Sequence, residues 1–320
     1  MDDICLVHQA FSCLDWDDID TSYTLFGKSL GMPLVINAMT GGSDQLVTIN
    51  RGLAKAAKAR GVAMAVGSQS LGLKEQASQR SFRVTREENP DGVIIANVSA
   101  ISPVEDVVQA VDMLNADAVQ LHLNLPQELS MEEGDRNFSS LCRRVTETVN
   151  TIDVPVIVKE VGFGISKETA MGLAQTGVRW LDLGGKGGTN FAAIEARRFS
   201  HGVGNVFLDW GITTVCSLLE VKSTNIPYKI FASGGIRSGL DIAKALVLGA
   251  DAVGIAGPFL KALLSGTYKG VIEQVMKYEN ELKTAMLLTG SASLEQLKEK
   301  PWVISGNSRE WCRSRGVRVL

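Results

Sequence analysis

The sequence predicts a single α/β domain that folds as a (β/α)8 barrel of the TIM type. Short apolar runs recur eight times, and segments with helical spacing separate them. A length of 320 residues is one that α/β barrels commonly fill as one domain. An open, doubly wound sheet is the alternative, but no GxGxxG motif follows the first run and no long linker divides the chain.

The apolar runs are predicted to be the strands of a parallel sheet. They are rich in Val and Ile, and most do not alternate between polar and apolar residues, which is typical of strands buried on both faces. In chain order the runs are Leu34–Ala38, Val62–Val66, Val93–Ala96, Ala118–Leu123, Val154–Val158, Val178–Leu183, Lys229–Ala232 and Ala252–Ala256.

The segments between these runs are predicted to be helices. Leu46, Ile49, Leu53 and Ala56 fall on one helical face, as expected for a helix that packs against the sheet. Similar stripes follow the third and seventh runs, and the latter ends before Gly249, a residue type that often ends helices.

The barrel is expected to form one domain over residues 1–320. Residues 1–30 precede the first strand and are expected to be a lead-in segment. Residues 257–320 are expected to form a helical C-terminal region. Its basic end is expected to be a solvated surface or a subunit contact.

Composition limits the function classes. Lys plus Arg is 32 and Asp plus Glu is 35, so the net charge is −3, which argues against a nucleic-acid-binding domain. The five cysteines are scattered without a CxxC pair, which argues against a disulfide framework or a structural zinc site. We find no signal peptide, and the longest stretch without charged residues, Ser29–Ser43, is too short and polar to span a membrane. These features predict a cytoplasmic protein.

Polar side chains or glycine turns follow every predicted strand. In such barrels the active site lies at the carboxyl ends of the strands. We therefore expect these segments to meet at one rim. They include Met39 to Gly42, Ser68, Asn97, His122 with Asn124, Lys159, the glycine run before Thr189, Gly234 to Arg237, and Ala256 with Gly257.

The turns after the seventh and eighth strands predict a phosphate site. Gly234 and Gly235 open a helix, and Ala256 and Gly257 lie in the neighbouring turn. Backbone N–H groups at such turns often bind phosphate, and Arg237 could add a charged donor. The alternative is that these glycines only form tight turns.

Lys159 ends an otherwise apolar strand, where a buried unpaired ammonium would be costly. It could be a Schiff-base nucleophile, a fixed cation beside an anionic cofactor, or a rim lysine paired with a carboxylate. His122 and Asn124 share a strand end, which favours a functional role over that of a core histidine.

Glu128 is a candidate Mg²⁺ ligand, because Mg²⁺ is often held by one or two carboxylates together with phosphate oxygens. The alternative is a Glu that favours the first turn of a helix. The sequence has no paired catalytic carboxylates, no HExxH and no GxSxG motif. A cofactor is therefore expected to carry the chemistry.

Together these segments resemble the type 2 isopentenyl-diphosphate isomerases, a family of FMN-dependent barrels. The resemblance covers essentially the whole chain in order. The matching stretches are Ile36–Gly42, Ala65–Gln69, Gln120–Asn124 with Gln127 and Glu128, Glu133–Phe138, Val154–Gly164, Gly187–Phe191 with Ile194 and Glu195, and Ala232–Ile236.

The resemblance implies FMN, Mg²⁺ bound by Glu128, and a small diphosphate substrate contacted by His122, Asn124 and Gln127. It also implies catalytic roles for Lys159, Gln127 and His122. The residues implied to hold FMN are Ala38, Met39, Thr40, Ser68, Asn97, Lys159, Thr189, Gly234, Gly235, Arg237, Ala256 and Gly257.

The implied reaction interconverts isopentenyl and dimethylallyl diphosphate. NAD(P)H would reduce the flavin, although the isomerisation has no net redox change. The resemblance further implies a homo-oligomer, a tetramer or octamer, with no nucleic-acid or membrane partner.

The chain departs from the family pattern in two places. Members normally have an N-terminal segment with an Arg-Lys pair that helps to bind the diphosphate, whereas this chain starts at Met1-Asp2-Asp3. Many members also have Arg where Ser70 stands. Both departures remove positive charge, so we expect substrate affinity and activity to be weakened more than FMN binding.

Two other functions remain open from the sequence. One is an FMN-dependent oxidoreductase of the 2-hydroxy-acid oxidase type, which would need a His–Arg pair beside the flavin. His201 with Arg197 and Arg198 lies well past Thr189, which argues against that pair. The other is a flavin-binding barrel that is inactive without the N-terminal segment.

Overall fold

The computed structural model describes residues 1–198 and 206–318. Within these residues the strands, numbered along the chain, are β1 (Ile4–Leu6), β2 (Tyr23–Leu25), β3 (Lys28–Leu30), β4 (Leu34–Ile36), β5 (Ala63–Ala65), β6 (Ile94–Ser99), β7 (Ala118–Leu123), β8 (Val156–Glu160), β9 (Trp180–Asp182), β10 (Lys229–Ser233), β11 (Ala252–Ile255) and β12 (Trp302–Ile304).

The helices, numbered in the same way, are α1 (Asp44–Arg60), α2 (Ser70–Lys74), α3 (Arg80–Glu88), α4 (Val104–Leu114), α5 (Leu125–Ser130), α6 (Leu141–Thr151), α7 (Lys167–Ala174), α8 (Phe191–Arg198), α9 (Thr214–Ser223), α10 (Gly239–Val247), α11 (Gly257–Leu288), α12 (Leu294–Lys298) and α13 (Gly306–Ser314). Short 3-10 turns lie at Trp16–Asp18 and Gln76–Gln79.

Strands β4 to β11 close into a barrel in which each strand is parallel to the next along the chain. Strand β11 closes the ring by pairing with β4, with Gly254 opposite Val35. The predicted (β/α)8 barrel and its eight strands are therefore confirmed. The fifth barrel strand begins at Val156 rather than Val154, because Pro155 has no N–H for the ladder.

The helices cover the outside of the barrel with their apolar faces. On α1, Leu53, Ala56 and Ala57 are buried, and the helix ends at Gly61 in the left-handed conformation. On α10 the buried stripe includes Ile242 and Leu246. This burial of apolar surface stabilises the barrel and leaves the carboxyl ends of the strands as the place where chemistry can occur.

The lead-in segment does more than precede the first strand. Strands β2 and β3 form an antiparallel hairpin, and its Leu25 and Leu30 are buried in one cluster with barrel residues such as Val35 and Phe231. The Phe26 ring meets the Trp180 ring edge-on, with centroids 4.8 Å apart. The hairpin therefore closes the amino end of the barrel with apolar side chains.

The C-terminal region is largely helical, but it also contains β12, which pairs antiparallel with β1 near the start of the chain. Helix α11 is interrupted at Gly266 and Thr267, whose backbone angles are not helical. The Arg315 guanidinium binds the buried Glu220 carboxylate of α9, with Nε and Oε1 2.9 Å apart. Arg315 in the basic end therefore forms an internal contact. No helix in the described ranges is both long and apolar enough to cross a lipid bilayer.

Candidate active site at the carboxyl end of the barrel

A cavity of about 710 Å³ lies at the carboxyl ends of the barrel strands, a volume suited to a small-molecule ligand. All eight strands or the turns after them contribute to its wall. The sequence-predicted residues that line it are Ala38, Met39, Thr40, Ser68, Asn97, His122, Asn124, Gln127, Lys159, Thr189, Gly234, Gly235, Arg237, Ala256 and Gly257. The metal candidate Glu128 does not line this cavity, and neither do Gly41 and Gly42 of the predicted rim.

One wall of the cavity is made of closely packed glycine backbone. Gly234 and Gly235 have φ angles of +96° and +75°, which L side chains rarely adopt. A Cβ atom on Gly235 would meet the backbone of Gly187 at 2.9 Å. In the described part of the chain, the backbone N–H groups of Gly235, Ile236 and Gly257 have no hydrogen-bond partner. Such a wall fits an anionic group, because free N–H groups and a helix start favour negative charge.

Arg237 lines the cavity, but carboxylates hold its side chain. One guanidinium nitrogen lies 2.7 Å from Asp2 Oδ1, and Nε lies 3.5 Å from Asp241 Oδ2. The Arg237 backbone N–H also donates to Asp241. The positive charge expected at this turn is therefore shared with two carboxylates.

The Lys159 ammonium lies at the cavity wall and pairs with a carboxylate that the sequence analysis missed. Nζ is 3.0 Å from Asp182 Oδ2, and the Asp182 side chain is fully buried. A hydrogen-bonded ion pair fixes the lysine side chain in place, which favours a fixed cation over a Schiff-base nucleophile. An acidic residue in the apolar stretch Trp180–Leu183 was the signal that could have identified Asp182.

Further polar side chains inside the barrel converge on Asp182. Asn37 Nδ2 donates to Oδ2 at 2.8 Å, Gln120 Nε2 donates to the same oxygen at 3.2 Å, and Ser233 Oγ donates to Oδ1. The Gln120 side-chain oxygen is buried and has no hydrogen-bond partner among residues 1–198 and 206–318. The interior of the barrel below the cavity is therefore organised around one buried negative charge.

His122 is held as a neutral imidazole. Asn97 Nδ2 donates to the Val66 carbonyl, so its Oδ1 is the atom that faces His122 Nδ1, 2.9 Å away. Nδ1 must therefore carry the proton, and Nε2 keeps its lone pair. Burial, reinforced by the nearby Lys159 charge, lowers the pKa of His122 to about 4. His201, which the sequence analysis considered, lies outside the described residues.

Glu160 is a second group at the cavity with an unusual protonation state. Burial raises the pKa of its carboxyl to about 8, although the Phe163 and Gly164 N–H groups favour the charged form. These N–H groups donate to Oε2 at 2.6 Å and 2.8 Å. Glu160 thereby anchors the loop after β8, which packs beside Thr189 through Gly162. The sequence analysis included Glu160 only within the stretch Val154–Gly164 and did not single out this role.

Gln127 and the metal candidate Glu128 lie on α5. Gln127 Nε2 donates to Glu195 on α8 at 3.2 Å, so its amide is oriented by a carboxylate that is only 3% exposed. The contact joins residues 68 positions apart, and a single sequence does not reveal such pairs.

Glu128 offers one carboxylate beside the cavity. Its oxygens accept from Asn124 Nδ2 at 2.6 Å and from the Asp135 backbone N–H at 2.8 Å. No group of three or more His, Cys, Asp or Glu side chains suited to a metal occurs among the described residues. The donor set therefore fits a Mg²⁺ ion that shares a single protein carboxylate with ligand oxygens, and not a site built from protein alone.

Comparisons with known proteins agree with this geometry. An isopentenyl-diphosphate delta-isomerase of Moorella thermoacetica is 47% identical, over 98% of this chain and 91% of its own length. The protein of the same name from Geobacillus sp. is 44% identical, over 98% and 90%. A family profile described as FMN-dependent dehydrogenase matches residues 136–304.

Solved structures of other proteins are similar to this chain in fold. A mandelate oxidase with (S)-mandelic acid has a TM-score of 0.69 at 18% identity, and the match covers 95% of this chain and 88% of that one. Identity this low shows the shared barrel and nothing about the reaction, whereas 47% identity over nearly the whole chain shows the family. The chain therefore belongs to the isopentenyl-diphosphate delta-isomerase family and is an isomerase built on the FMN-dependent dehydrogenase barrel.

Proposed function

We propose that this enzyme interconverts isopentenyl diphosphate and dimethylallyl diphosphate by proton transfer at the cavity, with FMN bound there. The observation that carries the proposal is the cavity itself. Its glycine wall has free N–H groups suited to a phosphate, and its opposite side carries His122, Asn124 and Gln127. A flavin and a small substrate could thus meet in one enclosure.

The residues of the cavity fit FMN. Gly235, Ile236 and Gly257 would bind its phosphate through backbone N–H groups, because these donors have no partner in the described chain. Lys159 would place a positive charge against the ring system, and Asn97 and Ser68 line the cavity beside it. The remaining predicted residues, Ala38, Met39, Thr40, Thr189, Gly234, Arg237 and Ala256, would complete the enclosure.

The substrate alkene is unactivated, so its protonation needs an unusual acid and a stabilised cation. Reduced FMN supplies, when bound, a ring proton and a ring over which charge can spread. The chain's own residues supply orientation and electrostatics. Lys159 stabilises negative charge at the ring, since its ammonium is fixed by Asp182.

His122 and Gln127 orient the substrate in this proposal. His122 is neutral at physiological pH, so it can pack against the hydrocarbon part of the substrate without adding a charge beside the reacting carbons. Gln127 cannot act as a strong acid, but Glu195 fixes its amide in one orientation. Both side chains therefore hold a reacting alkene in place.

The diphosphate group is negatively charged, but few cationic side chains line the cavity. Lys159 and Arg237 are its cationic lining residues, and both are paired with carboxylates. We therefore propose that Mg²⁺, held by Glu128, neutralises the diphosphate and fixes it near Asn124. NAD(P)H would be needed only to reduce the flavin. We further propose that the enzyme is cytoplasmic and a homo-oligomer, a tetramer or octamer.

The test is an anaerobic assay of the 320-residue chain with FMN, NADPH, Mg²⁺ and isopentenyl diphosphate. Formation of dimethylallyl diphosphate is the expected result. A parallel reaction supplies mandelate and follows flavin bleaching at the same FMN occupancy. Bleaching by mandelate without isomerisation would replace the proposal with an oxidase. Bound FMN with neither reaction would indicate an inactive flavin-binding barrel.

A further inference from the structure

We propose that Asp182 is a positioning residue that acts through Lys159. It holds the Lys159 side chain in one place, and thereby sets how strongly the cavity favours reduced over oxidised flavin. The inference rests on the proposed function only in requiring that the cavity binds FMN.

The first support is the burial of Asp182. Its side chain is fully buried and does not line the cavity, so it cannot contact a ligand there. Lys159, Asn37 and Ser233 do line the cavity, and each donates a hydrogen bond to this carboxylate. Any influence of Asp182 on a bound ring therefore passes through its neighbours, and Lys159 is the charged one among them.

The second support is the number of donors that one carboxylate receives. Asp182 Oδ2 accepts from Lys159, Asn37 and Gln120 at 3.0, 2.8 and 3.2 Å, and Oδ1 accepts from Ser233 Oγ. Donors of this kind stabilise the ionised carboxylate. The carboxylate in turn fixes the ammonium, because the other donors leave it no freedom to turn away.

The third support is an unsatisfied atom. Gln120 directs its NH₂ group to Asn37 and Asp182, and its own carbonyl oxygen is left buried without a partner. Leaving a buried oxygen unsatisfied is costly in a protein interior. The Gln120 amide is therefore held in the orientation in which its NH₂ group binds Asp182, although its oxygen is then left unsatisfied.

The ion pair links adjacent barrel strands at equivalent positions. Lys159 on β8 lies opposite Asp182 in the ladder between β8 and β9. The strand backbones thus set the separation of the two groups, and a rigid sheet is a better support for a precisely placed charge than a loop.

The test is the midpoint potential of FMN bound to the Asp182→Asn enzyme, without substrate. Asn preserves the shape but removes the charge, and a buried ammonium without a counter-ion is destabilised relative to the neutral amine. We expect the preference for reduced over oxidised FMN to fall at least about tenfold, which is about 30 mV for a two-electron couple. Lys159→Met should shift the potential in the same direction.

Asp117→Asn is the matched control. Asp117 also pairs with basic side chains, Lys28 at 2.6 Å and Arg86 at 2.8 Å, but it lies at the start of β7, at the closed end of the barrel. Its loss should leave the flavin potential unchanged. A potential in Asp182→Asn equal to that of the wild type, while Lys159→Met lowers it, would overturn the inference.

A double variant keeps the inference testable if Asp182→Asn does not fold. Lys159→Met with Asp182→Asn leaves no unpaired buried charge. If Asp182 acts only through Lys159, the double variant should have the same potential as Lys159→Met alone. A potential that differs from that of Lys159→Met in either direction would show a direct effect of Asp182 on the flavin and contradict the proposal. A wild-type enzyme that binds FMN but forms no dimethylallyl diphosphate would overturn the proposed reaction without affecting this test. A wild-type chain that takes up no FMN would overturn both.

Discussion

The two ends of the barrel carry different kinds of side chain. At the amino end, a hairpin inserts Leu25 and Leu30 among apolar barrel residues, and the Phe26 and Trp180 rings pack edge to face. At the carboxyl end, glycine turns and polar side chains surround a cavity. The comparison teaches that packing energy is concentrated where the barrel is closed and chemistry where it is open.

The ionisable groups at the closed and open ends of the barrel also differ. Near the closed end, Asp117 is partly buried, which opposes ionisation, but Lys28, the Ile94 N–H and Arg86 outweigh this and lower its pKa. At the open end, burial lowers the pKa of His122 to about 4 and raises that of Glu160 to about 8. Both are therefore neutral near pH 7. Two ionisable groups that line the cavity near the Lys159–Asp182 ion pair therefore add no charge beside it, which preserves the strength of its local field.

The largest effect on stability should come from the closed end. Leu25→Ala removes a fully buried side chain and should lower the free energy of unfolding by about 2–5 kcal/mol. FMN affinity and turnover of the folded enzyme should be unchanged, because the residue lies far from the cavity. Chemical denaturation and steady-state kinetics measure the two quantities. Thr24→Ala, at an exposed position of the same strand, is the control and should cost less than about 0.5 kcal/mol.

For the metal candidate Glu128 we expect a loss of turnover rather than a loss of stability. Glu128→Gln should reduce Mg²⁺-dependent turnover by about 100-fold with little loss of stability, because it removes the single carboxylate offered to the ion. Titration of activity with Mg²⁺ measures the change. Glu132→Gln, at an exposed position in the following segment, is the control. Equal Mg²⁺ dependence in the two variants would refute the assignment.

A smaller effect is expected from the glycine wall. Gly235→Ala places a Cβ against the Gly187 backbone at a residue with φ of +75°, a strain of about 1–3 kcal/mol. If the wall binds the FMN phosphate, FMN affinity should fall roughly tenfold, since 1.4 kcal/mol corresponds to a factor of ten. Fluorescence titration of FMN measures this. Gly172→Ala is the control, because a Cβ there meets no neighbour within 4 Å. Unchanged FMN affinity in Gly235→Ala would count against the phosphate site.

The smallest expected effect is a difference in pH dependence. Between pH 4.5 and about 8, folded Glu160 retains a proton that the unfolded chain has released. The stability that this provides is lost as pH rises through that window. Glu160→Gln should therefore flatten the decline in unfolding free energy between pH 4.5 and about 8.

Asp117→Asn should act on the acid side instead. Because the pKa of Asp117 is lowered from 3.8, its contribution is present above that pH and lost as pH falls. Denaturation curves from pH 3 to 9 compare the two variants with the wild type. If the free energy of unfolding of Glu160→Gln falls between pH 4.5 and about 8 as steeply as that of the wild type, the carboxyl is already ionised in the folded enzyme.

Much of the difference between the two ends of the barrel could be predicted from the sequence. Strands buried on both faces have distinctive apolar runs, and residues after those runs must meet at one rim of a barrel. The hairpin was missed because its turn is Phe26-Gly27, and Phe26 adopts a positive φ of 49° without the usual Asn-Gly or Asp-Gly signal. Tertiary packing of Phe26 on Trp180 supports that conformation.

The supporting residues of the site were harder to predict than those that line it. Asp182 and Glu195 act on Lys159 and Gln127 across sequence separations of 23 and 68 residues. Such pairs depend on the barrel's register and helix packing, which one sequence does not specify. The protonation states of His122 and Glu160 likewise depend on burial that only the folded chain defines.

The most direct test of the account is the dependence of isomerisation on the redox state of the flavin. The FMN-loaded enzyme, with Mg²⁺ and isopentenyl diphosphate, would be assayed anaerobically once with oxidised FMN and once after complete reduction. We predict dimethylallyl diphosphate from the reduced enzyme alone. Equal turnover by the oxidised enzyme, or by the chain without flavin, would contradict the assignment of the cavity as a flavin-dependent proton-transfer site.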